Sequence, residues 1–307
     1  MKRTFEYRIA RDMAPVSIKS LLKQKGFSTK SLIALKAIPG SILVNDTPVF
    51  LTYLLNPEDH LVLHLEEDAS SEHILPVRLP LSILYEDDDL MVVNKPAGMP
   101  IHPSRNHYDN SLGNALAWYF AERNVPFVYR CINRLDRDTS GLTIIAKNKV
   151  SAGILSHMVA QKSLAGPAAE NGIYREYLAI VRNRPFPAEG VIDAPLSRRP
   201  GSIIERYVDP EKGERAVTHY KTLYTRNGYS LVSLVLETGR THQIRVHMQH
   251  LGYPLIGDYL YNPDYERMDR QALHACRLRF CHPLTGEQID ICCPLPEDMR
   301  WITDSAF

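Results

Sequence analysis

The chain has 307 residues, of which 44% are hydrophobic and 23% charged, a composition typical of a soluble globular protein with one large domain or two. Its 36 basic residues are nearly balanced by 35 acidic ones, so the net charge of +1 does not by itself predict a nucleic-acid partner. No apolar run is long enough to cross a bilayer, and the first residues lack the apolar core of a signal peptide, so we expect a cytoplasmic protein that does not contact a membrane. Five cysteines, an odd number, argue against a secreted disulfide framework.

The N-terminal part of the chain predicts a small α+β module. Residues 17–24 favour a short amphipathic helix ended by Gly26, and residues 31–36 favour a second helix. The apolar runs 41–45 and 60–65 favour strands.

The domain boundary is predicted from a change in composition. Residues 66–72 are polar and acidic and show no periodicity, which is typical of a connection between domains. We therefore predict a module at 1–72, a linker at 73–80 and a second domain at 81–307.

The second domain opens with two predicted strands around an acidic turn, spanning 83–95 and stopped by Pro96 and Gly98. A helix with an apolar stripe is predicted at 112–123. Further strands are predicted at 128–132 and 142–146, on either side of a polar turn.

That turn, residues 133–141, carries two carboxylates and an arginine on a rigid scaffold, where catalytic groups are often presented. The same residues are also ordinary turn chemistry, because Asp and Ser bond to local backbone and Gly supplies a positive φ. Spacing alone leaves both interpretations open.

Further along the chain, Ser151 is predicted to cap a helix that reaches about residue 161, followed by a Gly/Ala-rich loop at 163–172 and a strand at 174–181. Residues 195–219 are rich in Arg, Pro and Gly and favour an exposed excursion.

The last strong block is a strand at 231–236 that Gly239 breaks. Thr241 is predicted as the N-cap of a helix that reaches Leu251 and is closed by Gly252.

Two of these blocks resemble the RluA-type pseudouridine synthase family. The turn resembles the family's Arg-Leu-Asp-x-x-Thr-Ser-Gly signature, here Arg134 to Gly141. The segment Thr238 to His247 resembles its Thr-Gly-Arg-x-His-Gln-Ile-Arg-x-His, and Gly252 to Asp258 matches the Gly-x-Pro-x-x-Gly-Asp that follows. Asn133 departs from the family, which usually has His before the Arg.

The resemblance implies three catalytic residues. Asp136 would be the catalytic carboxylate, Arg245 the arginine that pairs with it, and Tyr177 the active-site tyrosine of a Lys-x-Tyr-x-Ala pattern in which Arg175 replaces the Lys. RNA contacts are expected from the arginines and polar residues around these motifs, namely Arg134, Arg137, Arg198, Arg199, Arg240, His242 and Gln243.

The implied fold is α+β, with a mixed, mostly antiparallel sheet flanked by helices and loops. The N-terminal module resembles an S4-like RNA-binding domain, although its few helix lysines equally suit an accessory structural role.

The implied reaction is the isomerisation of uridine to pseudouridine in structured RNA, either ribosomal or transfer RNA, by a monomer. The bond changes within one nucleotide, so no cofactor is expected. Asp136 would attack C1′ of the ribose or take the C2′ proton. The alternative is an RNA-binding protein of the same fold that has lost catalysis, and the presence of both Asp136 and Arg245 counts against it.

A metal site is not expected. The spacings fit no zinc template, since Cys-x2-Cys and His-Glu-x-x-His are both absent. The candidates that we considered are His242, His247, His250, Cys276, Cys281 and Cys292.

Overall fold

The computed structural model describes residues 2–13, 15–165 and 172–303, which form a four-stranded sheet, a nine-stranded sheet and two small two-stranded sheets. The first part contains β1 (Lys2–Arg8), β2 (Val16–Ser17), α1 (Ile18–Gln24), α2 (Thr29–Ala37), β3 (Ile42–Val44), β4 (Thr47–Pro48), β5 (Leu54–Leu55) and β6 (His60–Glu66), with a 3-10 turn at Arg11–Met13.

The second part carries the large sheet. Its elements are β7 (Ile83–Glu86), β8 (Leu90–Lys95), α3 (Leu112–Ala121), β9 (Ser140–Ala146), α4 (Lys149–Ala165), β10 (Tyr174–Arg182), β11 (Glu189–Asp193), β12 (Leu196–Arg198), β13 (Arg206–Val208), β14 (Val217–Arg226), β15 (Tyr229–Leu236), α5 (Gln243–His250), β16 (Leu273–Cys281), β17 (Gln288–Cys292) and a 3-10 helix at Glu297–Ile302.

The N-terminal sheet has the order β1-β6-β3-β4, and its pairs are antiparallel. Ser17 and Ser28 begin the two helices, because their hydroxyls accept hydrogen bonds from Ser20 N (3.2 Å) and Ser31 N (3.1 Å). The two helices and two strands predicted in this module are confirmed.

The large sheet has the order β11-β14-β15-β10-β16-β9-β8-β7, with β17 also paired to β16. Its pairs are antiparallel except β9 with β16, which confirms the expected mixed, mostly antiparallel sheet. All seven residues of β9 are buried because both faces of the sheet are covered. Leu142 and Ile144 pack towards the N-terminal module, whereas Ile145 packs towards α3 and α5.

The N-terminal module packs against the large sheet and α4 through a shared apolar core. Phe5 and Leu21 belong to the same buried cluster as Leu142 and Ile154. Ion pairs join the parts as well: Arg3 binds Asp89 at 2.6 Å and Glu67 binds Arg130 at 2.6 Å. Glu67 also accepts a hydrogen bond from the backbone N–H at the start of α4, at 2.8 Å.

The strand predicted at 128–132 is wrong: this segment makes only one isolated bridge, between Cys131 and Ile145. Two further backbone bonds join the segment to β9, from Ile132 N to Ile144 O and from Ala146 N to Arg130 O, both at 2.9 Å, but the pairing does not continue into a strand. Tyr129 N donates to the Ser71 hydroxyl, and the Tyr129 ring packs with the buried residues of α3.

Two predicted helix caps are also wrong. The Oδ1 atom of Asn148 accepts from Val150 N and Ser151 N, so α4 starts before Ser151. The helix α5 starts at Gln243 rather than after Thr241, and its N-cap His242 is left-handed with φ 58°. Of the loop predicted at 163–172, residues 163–165 extend α4 and 166–171 lie outside the described residues. Among the described residues, no helix is long and apolar enough to span a membrane.

Candidate active site

The turn that carries Asp136 is fixed by buried polar side chains. Asn133 is 4% exposed, donates to Leu142 O at 3.1 Å and accepts from Ile144 N at 2.8 Å, so it joins the turn to β9. Lys95, fully buried, donates from Nζ to Arg137 O at 2.9 Å. These bonds hold the turn that carries Asp136 at the N-terminal end of β9, an interior strand of the large sheet.

The structure explains why the turn motif ends in a glycine, Gly141. Its φ is 112°, and a Cβ at this position would lie 2.2 Å from Ala275 O. The parallel pairing of β9 with β16 occurs at this point, so the close backbone approach requires glycine.

Asp136 and Arg245 lie together although 109 residues separate them in sequence. Arg245 Nη1 donates to Asp136 Oδ2 at 2.9 Å, while Nε and Nη2 donate to Asp258 at 2.7 and 2.8 Å. Within the described part of the chain, no donor binds Asp136 Oδ1. The predicted pairing therefore forms as a single bond, and the two-pronged grip of the guanidinium is on Asp258.

Arg245 is almost completely buried, at 1% exposure, and Asp258 is fully buried. Burial opposes the charge of Arg245, but the bond to Asp258 and the charges of Asp136 and Asp258 outweigh it and raise the pKa of Arg245. The arginine therefore stays charged throughout the physiological range. Asp136 is the more accessible of its two partners, because its side chain is 27% exposed.

Tyr177 lies on β10, and its side chain is 5% exposed. Burial raises its pKa, with a lowering contribution from Arg175 and a raising contribution from Asp136. The phenol therefore stays protonated at neutral pH. Its ring belongs to the apolar cluster beneath the site.

These groups line one cavity of about 730 Å³, the size of a small-molecule or nucleotide pocket. Its walls come from the 133–141 turn, α4, β10 and the start of α5. The titratable residues that line it are His102, Arg134, Asp136, Arg175, Tyr177, Arg240, His242 and Arg245.

The predicted RNA-binding residues near the cavity differ in accessibility. Arg134, Arg137 and Arg240 are exposed. Arg137 folds onto Asp138 at 2.8 Å, and Arg240 binds Glu214 at 2.6 Å.

Two other predicted RNA-binding residues are more enclosed. His242 is half-buried, with Nε2 3.8 Å from Asp136 Oδ2. Its pKa is lowered, chiefly by burial, so the ring is neutral at physiological pH.

Gln243 is buried although it lines the cavity, and its predicted RNA contact stays a prediction. It is 3% exposed, and its amide bonds to Thr238 Oγ1, Arg240 N, Val217 O and Thr218 Oγ1. The side chain instead fixes the loop between β15 and α5, because it joins that loop to β14.

Arg198 and Arg199 are exposed on the β12–β13 hairpin and do not line the cavity. Tyr261 connects that hairpin to the site: its hydroxyl accepts from Arg206 N at 2.8 Å and lies 2.9 Å from His242 Nδ1.

Sequence reasoning missed Asp258, His102 and Tyr261. Asp258 ends the Gly-x-Pro-x-x-Gly-Asp block, which was the available signal, but its partner could not be read from spacing. His102 lines the cavity, and its pKa is lowered by burial and then by Arg134. No sequence pattern singled out His102 or Tyr261.

Two of the three histidines considered for metal binding, His242 and His247, bond to protein groups. His247 bonds to Thr218 Oγ1 and Ala194 O, both at 2.9 Å, and His242 bonds to Tyr261. Among the described residues, one group could bring metal-ligand atoms within 4.8 Å of one another, namely Asp87, Asp89 and His282. Both Asp89 oxygens already accept from Arg3, which leaves this group poorly suited to an ion.

Comparison with known proteins gives concordant matches. Residues 89–250 match the family model described as RNA pseudouridylate synthase. The uncharacterized RNA pseudouridine synthase YjbO of Bacillus subtilis is 40% identical over 285 residues, which cover 92% of this chain and 97% of that protein. The ribosomal large subunit pseudouridine synthase D of Zymomonas mobilis is 40% identical over 245 residues, 74% of this chain and 73% of that protein. The solved structure of human RNA pseudouridylate synthase domain containing 1 is similar with a TM-score of 0.56 and 28% identity, covering 70% of this chain and 83% of that one.

Proposed function

The chain belongs to the RNA pseudouridylate synthase family and isomerises uridine to pseudouridine in RNA, and we propose that Asp136 is the residue that carries out this reaction. The observation that supports the proposal is the bond from Arg245 to Asp136 at the cavity wall, which leaves Oδ1 without a donor from the described residues. A carboxylate aimed in this way has one oxygen held and the other available to a ribose. The other interpretation, a fold that only binds RNA, has no observation in its favour.

The target uridine has to leave the base stack to reach such a cavity, as in other enzymes that act on a base. Asp136 then either attacks C1′ or takes the C2′ proton, and in both routes the C1′–N1 bond breaks. The detached uracil turns and C5 bonds to C1′; in the first route the Asp136–C1′ ester bond breaks at this point, and in the second the proton returns to C2′. The C5 proton then leaves and N1 gains a proton. Reactant and product have the same atoms, so the reaction requires no external oxidant or reductant.

Arg245 orients Asp136 and keeps it ionised while the nucleotide displaces water from the cavity. A carboxylate that loses water becomes harder to keep charged unless a cation is near. Asp258 supports this role because it fixes the guanidinium with two bonds. Tyr177 is proposed to pack against the base or ribose, since its ring lies in the cavity wall and its phenol is protonated.

RNA outside the cavity is proposed to meet Arg134, Arg137 and Arg240, with His242 closer to the ribose. Arg198 and Arg199 would meet phosphates further along the strand, because arginine binds phosphate through two parallel donors. Gln243 also lines the cavity, and its proposed contact with RNA would be made from inside the cavity because the residue is buried.

Residues 1–72 are proposed to form an S4-like RNA-binding module, followed by a linker at 73–80 and a catalytic domain at 81–307. The support is a groove of about 610 Å³ on the module, lined by three exposed lysines, Lys19, Lys23 and Lys36. Phe50, which is 79% exposed, also lines this groove and offers a stacking surface for a base.

The substrate is proposed to be large-subunit ribosomal RNA, because several of the similar proteins carry that name. We also propose that the enzyme acts as a monomer, since the described site is built from one chain, and in the cytoplasm, since its five cysteines are free.

Mapping pseudouridines in total RNA tests the substrate proposal. Cells with and without this gene should differ at one or more uridines of large-subunit ribosomal RNA. A difference confined to transfer RNA would contradict the ribosomal substrate while leaving the chemistry intact.

A further inference from the structure

Arg175 is a buried cation that has no counter-ion among the residues that the structure describes. It lies on β10, is 5% exposed and lines the cavity that contains Asp136. In the described part of the chain, its Nε and Nη2 atoms have no hydrogen-bond partner. Buried charged groups are normally paired, so an unpaired one in a binding cavity points to a ligand that supplies the missing acceptors.

The position of Arg175 separates it from the arginines at the rim. A Cβ on Gly239 would lie 2.7 Å from Arg175 Nη1, so the loop after β15 covers the guanidinium. Arg134 and Arg240 are exposed, whereas Arg175 can be reached only by a group inserted into the cavity. A phosphate of the RNA backbone would meet the rim first.

Arg175 and Tyr177 are two residues apart on one strand, so their side chains share a face. The pKa of Tyr177 responds to both Arg175 and Asp136, which places the phenol within electrostatic reach of both groups. A nucleotide whose ribose meets Asp136 would therefore extend its base past Tyr177 towards Arg175.

We propose that Arg175 binds the uracil ring of the inserted uridine and stabilises the negative charge that the ring carries while it is detached. The inference rests on the proposed function of Asp136. When the C1′–N1 bond breaks, both electrons go to uracil, and the charge spreads over N1 and the O2 and O4 carbonyls. This holds whether Asp136 attacks C1′ or takes the C2′ proton. The charge is consumed when C5 bonds to C1′.

The test compares two leaving groups in the wild type and in Arg175→Met. Matched transcripts of the mapped RNA target carry uridine or 5-fluorouridine at that position, because fluorine withdraws electrons and makes the detached ring a more stable anion. Single-turnover loss of the target nucleoside is measured in nuclease digests at saturating RNA.

With uridine, Arg175→Met should slow the reaction about 10²- to 10³-fold, as for loss of one donor to a developing anion. With 5-fluorouridine, the fold-loss in rate should be at least about tenfold smaller, because the fluorinated ring is already a more stable anion and depends less on a cation. Arg175→Lys keeps the charge, so its single-turnover rate on uridine should stay within about tenfold of the wild-type rate. The control is Arg279→Met, an exposed arginine beside Tyr174 and outside the cavity, which should leave both rates unchanged.

Equal losses on the two nucleosides would overturn the proposal, because a merely structural residue is insensitive to the leaving group. A loss of RNA affinity without a loss of rate would also overturn it and would assign Arg175 to a phosphate.

Thermal unfolding gives a third readout: removing an unpaired buried charge should leave the melting temperature equal or higher. A clear fall would mean that Arg175 has a structural partner and would contradict the proposal. Failure of the proposed role of Asp136 is distinguishable, because it would appear as turnover of uridine by Asp136→Asn, whereas failure of the Arg175 proposal would appear as equal losses on the two nucleosides.

Discussion

Arg245 donates two parallel hydrogen bonds to Asp258, of 2.7 and 2.8 Å, and only one to Asp136. The fully buried Asp258 thus fixes the guanidinium, and the more accessible Asp136 accepts the one hydrogen bond from Nη1. Asp258 is a positioning residue in this arrangement. It acts on Asp136 through Arg245 and does not itself line the cavity.

Asp258→Asn tests that relationship. The amide cannot accept two charge-assisted bonds, so the free energy of unfolding should fall by about 3 kcal/mol, as when a buried pair is broken. The single-turnover rate should fall as well, because Arg245 is held less firmly. Asp264→Asn is the control: its partner Arg182 is 44% exposed, and such pairs contribute less than about 1 kcal/mol. Similar stability losses in the two variants would argue against a special role for Asp258.

Arg245 and Arg240 should differ in what they affect. Arg245→Met leaves two carboxylates without their shared cation, so the rate should collapse even at saturating RNA. Arg245→Lys should recover only part of it, because one ammonium cannot reach both carboxylates with the same geometry. Arg240→Met should mainly weaken RNA binding, in a salt-dependent way, because Arg240 is exposed.

Binding and single-turnover rate have to be measured separately for these three variants. Normal turnover by Arg245→Met at saturating RNA would show that Arg245 serves binding. A rate loss in Arg240→Met as large as that in Arg245→Met would remove the distinction between them.

Lys95 should make stability depend on pH. Burial lowers its pKa from 10.5 to about 7, while Nζ donates to Pro96 O, Met99 O and Arg137 O. Between about pH 7 and 10.5 the unfolded chain binds the proton and the folded chain does not, so the free energy of unfolding rises with pH. The contribution is at most about 1.4 kcal/mol per pH unit.

Denaturant unfolding at pH 7, 8 and 9 measures this effect as the difference between the wild type and Lys95→Met. The variant lacks the titrating group, so its stability should rise less steeply with pH. Parallel pH dependences would show that Lys95 does not titrate in this window.

The lysines of the N-terminal module provide a test of RNA binding that does not require truncation. Deletion of the module would expose apolar residues of the core shared with α4, including Leu142 and Ile154. Replacement of Lys19, Lys23 and Lys36 by Gln removes charge only. Each lost phosphate contact should reduce the slope of log affinity against log salt by about 0.7 to 0.9. Lys221→Gln, outside the module and paired with Glu189, should leave the slope unchanged. An unchanged slope in the triple variant would assign the module an accessory role.

Much of the fold was accessible from local patterns. Alternation located β8, β10 and β15, and the turn residues located the ends of these strands. The pattern failed at 128–132, which bonds to β9 only through Arg130 and Ile132, while Tyr129 N donates to Ser71 and the Tyr129 ring packs against α3. That outcome depends on tertiary contacts that no local window contains.

The residues of the candidate site also fall into two groups, those that the sequence motifs identified and those that depend on tertiary contacts. Asp136, Tyr177 and Arg245 came from the resemblance of motifs, because spacing could not join residues 109 positions apart. The choice of Asp258 as the principal partner of Arg245 and the burial of Gln243 depend on how the loop after β15 folds onto its neighbours. Composition and periodicity carry no information on such side-chain pairings.

The measurement that tests the central claim most directly is tritium release from RNA labelled at C5 of uridine, comparing the wild type with Asp136→Asn and Asp138→Asn. Asp136→Asn keeps the size of the side chain and removes the reacting carboxylate, and its melting temperature should stay close to that of the wild type because Arg245 retains Asp258. Asp138→Asn changes the neighbouring carboxylate, which binds Arg137, and should retain most of the activity. The account predicts that Asp136→Asn releases no tritium above background while Asp138→Asn does. Appreciable release by a folded Asp136→Asn variant would contradict it.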